Sequence, residues 1–170
     1  MPNLSTQTRS SRGKPTRDMN AIDLLETDHE EVKSLFRKYG KLAKAEASGD
    51  ERAALARQIC TVLKVHTQIE EEIFYPAARE VLPEGDLVDE AAVEHASARD
   101  LIVQIEAMRP NEDLYDAKIK VLGEYVDHHV KEEQDEMFPK LRRRMDIKDV
   151  GARLQARKQE LMAEGGPAAH

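Results

Sequence analysis

An eleven-residue phrase occurs twice in this chain, 63 residues apart, and it constrains the fold more than any other feature. The first copy reads His66-Thr67-Gln68-Ile69-Glu70-Glu71-Glu72-Ile73-Phe74-Tyr75-Pro76, the second His129-Val130-Lys131-Glu132-Glu133-Gln134-Asp135-Glu136-Met137-Phe138-Pro139. Each places a Glu four residues after its His and a Pro ten residues after it. Residues four apart share a helix face, so imidazole and carboxylate project side by side toward one point. One further His stands upstream of each copy, in Asp28-His29-Glu30 and Glu94-His95-Ala96, and these two are 66 residues apart. The chain is thus a duplicated unit of one His plus one His-x-x-x-Glu, which suggests a dinuclear metal site built by two halves.

Residues 1–18 are rich in Ser, Thr, Arg and Lys and nearly free of apolar side chains, which predicts a mobile tail rather than a packed element. Four helical patterns follow. Asn20 is the expected N-cap of the first, whose apolar stripe runs Ile22, Leu25, His29, Val32, Phe36, Tyr39 and Ala43. Beyond the Ser48-Gly49-Asp50 turn, the second carries Leu55, Ile59, Val62, His66, Ile69/Glu70, Ile73 and Ala77. Pro83 to Asp86 breaks the chain before the third, with Val88, Ala91, His95, Ala98, Ile102 and Ile105. The fourth carries Leu114, Val121/Leu122, Tyr125, His129, Glu133, Met137 and Leu141. Short links between long helices predict an all-α, up-down-up-down four-helix bundle over residues 19–145. A short fifth helix is expected over about 147–163, capped by Asp146, within a C-terminal segment 146–170. Arg142, Arg143 and Arg144 complement the dipole at the end of the fourth helix more economically than they would bind phosphate.

Composition narrows the partners. Aromatic residues are only 4% of the chain and charged residues 35%, a bias that favours helices over sheets. The net charge of −7 argues against nucleic acid or an anionic membrane surface as partner. No apolar run approaches a membrane span and no signal-peptide core is present. The single cysteine, Cys60, excludes an internal disulfide and is expected in the core. A cytoplasmic location is the expectation.

The case for ligands rests on four histidines together. His29, His66, His95 and His129 each occupy the apolar stripe of a different helix, and Glu70 and Glu133 lie on the inner faces of theirs. Six unpaired polar groups inside a bundle would each cost several kcal/mol, and a shared metal removes that cost. His29 and His95 come early in odd helices while His66 and His129 come late in even ones. In the expected topology all six ligands therefore lie roughly 12–21 Å from the same end of the bundle. His128, flanked by Glu124 and Glu132, reads as a solvated residue and His170 is terminal. Glu71, Glu72, Glu132 and Glu136 read as solvent-facing charges. Pro76 and Pro139 either kink their helices to shape the site or end them.

With these residues in place the chain resembles the hemerythrin-like HHE cation-binding family over about residues 20–142. The resemblance implies a non-haem diiron centre, oxo- or hydroxo-bridged, with Glu70 and Glu133 bridging two Fe ions and the histidines capping them. The five-histidine oxygen carriers of that family have a His one turn before His95, where this chain has Ala91. Their last carboxylate is an Asp five residues after its His, where this chain has Glu133 at four. Four imidazoles, two carboxylates and a bridging oxygen fill about ten of roughly twelve coordination positions, which leaves about two open to exogenous ligand. Tyr125, one turn before His129, is either a core aromatic or a group that fills a position or donates to bound oxygen. The leading expectation is a protein that binds, senses or detoxifies dioxygen, peroxide or nitric oxide. A diiron peroxidase or catalase-type enzyme and an iron-dependent regulatory module are the alternatives. A mononuclear zinc site is the weakest option, because zinc takes four ligands and this layer offers six.

Overall fold

A computed structural model of the chain describes residues 19–165. The expected tail at 1–18 and His170 lie outside the described residues, which contain five helices and no strand. Helix α1 spans Ala21–Lys44 and opens where Asn20 Oδ1 accepts from the Asp23 N–H at 3.0 Å. Helix α2 begins at Gly49–Ile69 behind a Ser48/Glu51 capping box, passes through a π turn at Glu70–Phe74 and continues as Tyr75–Val81. Helix α3 is Asp86–Ala107. Helix α4 repeats the pattern of α2, with Tyr115–Glu132, a π turn at Glu133–Met137 and a last turn at Phe138–Leu141. Helix α5, Ile147–Ala163, starts where Asp146 accepts from the Asp149 N–H at 3.1 Å.

Helix α1 packs on α2 and α4, α3 packs on the same two, and α5 lies across α1 and α2. The expected four-helix bundle with a fifth helix is the observed fold. Its apolar interior is divided in two. One cluster gathers Ile22, Leu25, Ile69, Phe74, Phe138, Leu141 and Leu154 at the end covered by α5. The other gathers Val32, Ile59, Leu63, Ile102, Ile119 and Leu122 toward the opposite end. His29 stands between Leu25 and Val32 on α1, and His95 between Ala91 and Ala98 on α3, so the buried polar residues form a layer between the clusters. Cys60 is buried in the second cluster, and burial pushes its thiol up to about 12, which keeps it inert.

Two parts of the predicted stripes differ from the structure. Leu114 precedes α4 at φ 71° and is exposed; turns at 109–115 bring Tyr115 into the buried place instead. Beyond Glu70 the buried positions are Phe74, Tyr75 and Ala78, while Ile73 and Ala77 are only half-buried. The π turn inserts one residue into the helical repeat, so every later side chain rotates by about one position. Pro76 and Pro139 sit two residues past the ends of these turns, and neither ends its helix.

Helix α5 reaches the bundle through one glycine. A Cβ on Gly151 would lie 2.5 Å from the Met19 carbonyl oxygen and 2.6 Å from the Ala21 nitrogen. Backbone cannot give way as a flexible side chain can. Alanine gains about 1 kcal/mol in helix propensity over glycine, but overpacking costs about 1–3 kcal/mol and here displaces a whole helix. Gly151→Ala is therefore expected to lower the melting temperature despite being the better helix former. A thermal melt at or above wild type would show that α5 can shift without loss.

Candidate metal centre

The sequence-predicted ligands come together. His29, His66, Glu70, His95, His129 and Glu133 are all less than one-tenth exposed, and Glu70 is fully buried. Their atoms form two overlapping groups, His29–His66–Glu70–Glu133 and Glu70–His95–His129, each with one donor atom per residue within 4.8 Å of the others. Both carboxylates face both groups. Glu70 turns Oε1 to His66 Nε2 at 3.1 Å and Oε2 to His95 Nε2 at 3.2 Å. Glu133 turns Oε2 to His29 Nε2 at 3.2 Å and Oε1 to His129 Nε2 at 3.5 Å. The four Nε2 atoms thus point inward.

Sequence reasoning missed Tyr75. Its hydroxyl donates to Glu133 Oε1 at 2.8 Å and lies 3.2 Å from His95 Nε2, 3.4 Å from His129 Nε2 and 3.4 Å from Glu70 Oε2. In a regular α-helix a residue five places after Glu70 would point well away from it. The π turn aligns the two, and the Tyr75 N–H bonds the Glu70 carbonyl. The equivalent residue in the second half is Phe138, which stacks on His29 with ring centroids 5.9 Å apart. The two halves therefore differ by one phenol. Tyr125, the predicted second-layer residue, is 47% exposed and lines the outer part of an apolar cavity shared with His29, His66, His95 and His129.

A second ring of carboxylates holds the outer nitrogens of the histidines. Asp28 Oδ2 accepts from His66 Nδ1 at 3.3 Å, Glu71 Oε1 from His95 Nδ1 at 3.0 Å, and Glu94 Oε2 from His129 Nδ1 at 2.6 Å. Such partners fix the ring orientation and raise its basicity. Asp28 and Glu94 each precede one of the single histidines and each supports the histidine of the following helix. The sequence held that signal in the paired Asp28-His29 and Glu94-His95. Glu71, read from the sequence as a solvent-facing charge, is half-buried between His95 and Arg99. Its counterpart after Glu133 is Gln134, and His29 Nδ1 correspondingly has no hydrogen-bond partner.

The donor set fits a metal. Among the described residues, buried His29 Nδ1 has no partner, and the close contacts of His29 Nε2 with Glu133 Oε2 and of His66 Nε2 with Glu70 Oε1 lack hydrogen-bond geometry, so all five atoms remain unsatisfied. Such orphans are rare unless an ion accounts for them. Burial opposes charge on His66 and His95, yet the carboxylates beside them carry His66 well above the ordinary histidine value and His95 up to about 9. Burial likewise opposes the Glu70 carboxylate, and His66 and His95 hold it well below the usual range. Burial and the two glutamates keep the Tyr75 phenol protonated. Protons thus take the place of a cation, and a metal would displace them.

A four-helix bundle with a buried layer of histidines and shared carboxylates has the donor set of a metal-binding bundle protein. Residues 20–141 match the hemerythrin HHE cation binding domain, and the chain belongs to that family. It is 29% identical over 134 residues to a DNA nickase of Nostoc sp., covering 78% of this chain but only 36% of that relative. It is 26% identical over 121 residues to an uncharacterized protein of Mycobacterium tuberculosis, covering 71% of each. The fold is similar to the crystal structure of an HHE cation-binding domain-containing protein from Mycobacterium kansasii, with a TM-score of 0.67 at 23% identity over 86% of this chain and 91% of that one.

The imidazole charges make a pH prediction for the metal-free chain. Because the His95 pKa is raised, its contribution to stability is complete below about 6.5, the ordinary histidine value. It is lost as pH rises through about 9. The melting temperature of metal-free protein should fall across that window. Metal-loaded protein should not follow it, since deprotonated ligands bind the ion more tightly. Paired melts of the two forms check this; a metal-free transition level across the window would mean the imidazoles are neutral throughout.

Proposed function

We propose that the chain holds a non-haem diiron centre and uses it to bind or reduce a small neutral oxidant: dioxygen, peroxide or nitric oxide. The observation that carries this reading is the pair of overlapping donor groups in which Glu70 and Glu133 each offer one oxygen to either side. One mononuclear site would leave half of these donors uncompensated. Histidine and carboxylate donors without thiolate suit iron of variable valence, which supplies the redox chemistry.

The surroundings support a small ligand. The apolar cavity over the histidines, walled by Val32, Leu63, Ala98, Val126 and Val130, has a volume of about 30 Å³. That is room for about one water-sized molecule and not for an organic substrate. Val and Leu side chains make most of the wall apolar, Thr67 and Glu94 also line it, and His29, His66, His95 and His129 form the floor. Tyr75 revises the count of open positions. Its phenol stands with His95 and His129, the half in which Ala91 replaces the fifth histidine of the carriers, so this side has a seventh protein donor available. A ligand meeting the centre there has a proton donor at hand, which favours reduction of peroxide or dioxygen over reversible carriage.

The acidic balance of the chain opposes nucleic-acid binding, and the nickase likeness extends over little more than a third of that protein. No helix among the described residues is long and apolar enough to cross a membrane. With the lone buried Cys60, this fits our reading of a cytoplasmic protein.

Elemental analysis of protein produced with ample iron should give about two irons per chain. A single ion, or zinc alone under those conditions, would sink the diiron reading. Tyr75→Phe should keep both irons and bind azide to the diferric form about tenfold or more tightly or faster, since outer groups at metal sites alter affinity by about that much. Azide binding unchanged from wild type would show that the phenol neither fills nor guards a position.

A further inference from the structure

Each half of the chain places one acidic residue behind the histidine of its second helix, but only the first half neutralises that residue. Asp28, behind His66, is paired with the ammonium of Lys158 from α5. Glu71, behind His95, is paired with the Arg99 guanidinium at 2.8 and 3.0 Å. Glu94, behind His129, has no Lys or Arg against it among the described residues. Its other oxygen, Oε1, faces His128 Nε2 at 3.5 Å, and the same nitrogen lies 3.1 Å from Glu132 Oε1. Glu94, His128 and Glu132 bring one donor atom each within 4.8 Å of one another. Around them Asp89, Glu90 and Val93 complete a hollow open to solvent, in which Asp89 is taken up by Arg79. The second half thus offers an imidazole and two carboxylates where the first half supplies a cationic side chain.

We propose that Glu94, His128 and Glu132 form an outer divalent-cation site, for ions of the Fe2+ and Zn2+ class, through which metal reaches the buried layer. One imidazole and two carboxylates are a borderline donor set that suits those ions, and the open face leaves room for waters to complete the shell. The location fits a waypoint. Glu94 grips His129 with one oxygen and the outer cluster with the other, so an ion bound outside is one carboxylate away from an inner ligand. Between the two lies a gap of about 10 Å³, lined by Leu87, Ala91 and Met137 together with Glu94, Glu132, His129 and Glu133. Two of its walls, Glu94 and Glu132, are also walls of the hollow outside. Small Ala91 keeps that gap free.

The outer site does not depend on the identity of the inner metal, and its test counts ions in excess of those retained after desalting. Iron-loaded wild type titrated with Mn2+ and followed by loss of the free-ion electron paramagnetic resonance signal, or with Zn2+ by calorimetry, should take up one further ion per chain. His128→Ala and Glu132→Gln should each weaken that uptake by about tenfold or more, by analogy with losses at other metal-site residues. Neither should change the retained iron, because His128 is exposed and neither residue touches the inner donors. Stopped-flow addition of Fe2+ to metal-free protein should then show slower filling in both variants, with the same final iron content. Absence of a further ion in wild type would overturn the site, leaving His128 as a simple surface partner of Glu94 and Glu132. Uptake that survives both variants would overturn the assigned residues, and equal filling rates would overturn the role as a waypoint. A variant that loses retained iron while its uptake of the extra ion stays normal would overturn the assignment of these residues to an outer site.

Discussion

Two carboxylates buried between four imidazoles set the terms for everything else in this molecule. Glu70 and Glu133 are essentially inaccessible to water. Burying a charged group costs several kcal/mol even after relaxation, and it is tolerated only when paired. The imidazoles offer partial compensation by taking up protons, which is why His66 and His95 are held in the charged form. Protons cannot finish the task, since His95 Nε2 and His129 Nε2 face each other at 3.1 Å and only one can donate to the other. Structural zinc in small domains contributes on the order of 10–16 kcal/mol, so a metal bound here would offset this layer and couple the stability of the bundle to its binding. The division of the apolar interior into two clusters follows from the same requirement, because the layer needs greasy walls on both sides to exclude water.

The π turns are how a duplicated helical unit becomes an asymmetric centre. Each begins at one of the two buried glutamates and ends two residues before the proline of its phrase. A proline in a continuing α-helix lacks an N–H and crowds the carbonyl four residues back. The wider π turn absorbs both problems, and it rotates the residue before the proline onto the face of the glutamate. In the first half that residue is Tyr75 and in the second Phe138. One substitution at equivalent positions therefore puts a phenol among His95, His129 and Glu133 and a phenyl ring flat against His29.

Much of this was legible in the sequence, for identifiable reasons. Helix period and turn residues gave the bundle, and Asn20, Ser48 and Asp146 announced the starts of α1, α2 and α5 by side-chain chemistry that does not depend on tertiary context. The six inward donors were legible because a polar residue inside an apolar stripe is costly, and the cost repeats at matching positions in both halves. Tyr75 was hidden because its place depends on a π turn, and a strict 3.6-residue count puts it off the face. Glu71 was hidden because charge next to a helix surface is ordinarily solvated, and Asp28 and Glu94 were marked only by standing next to His29 and His95. Only packing reveals that each lies behind a histidine on a neighbouring helix.

The second ring also makes the two halves electronically unequal. A carboxylate behind a histidine strengthens that histidine as a donor, and a cation behind the carboxylate withdraws part of the effect. Lys158 and Arg99 withdraw it from Asp28 and Glu71, whereas Glu94 keeps its full charge on His129 at the shortest of the three distances. His29, with Gln134 in place of an acid, receives no such support. Ions held by His29 and His66 on one side and His95 and His129 on the other would therefore differ in affinity although their ligand types match. The better-supported histidine stands beside the phenol, so donor strength and proton donor coincide in one half. A cation on Glu94 would reduce that difference. If the centre holds two ions as proposed, the residues one layer out, rather than the inward donors themselves, would set the difference between the halves.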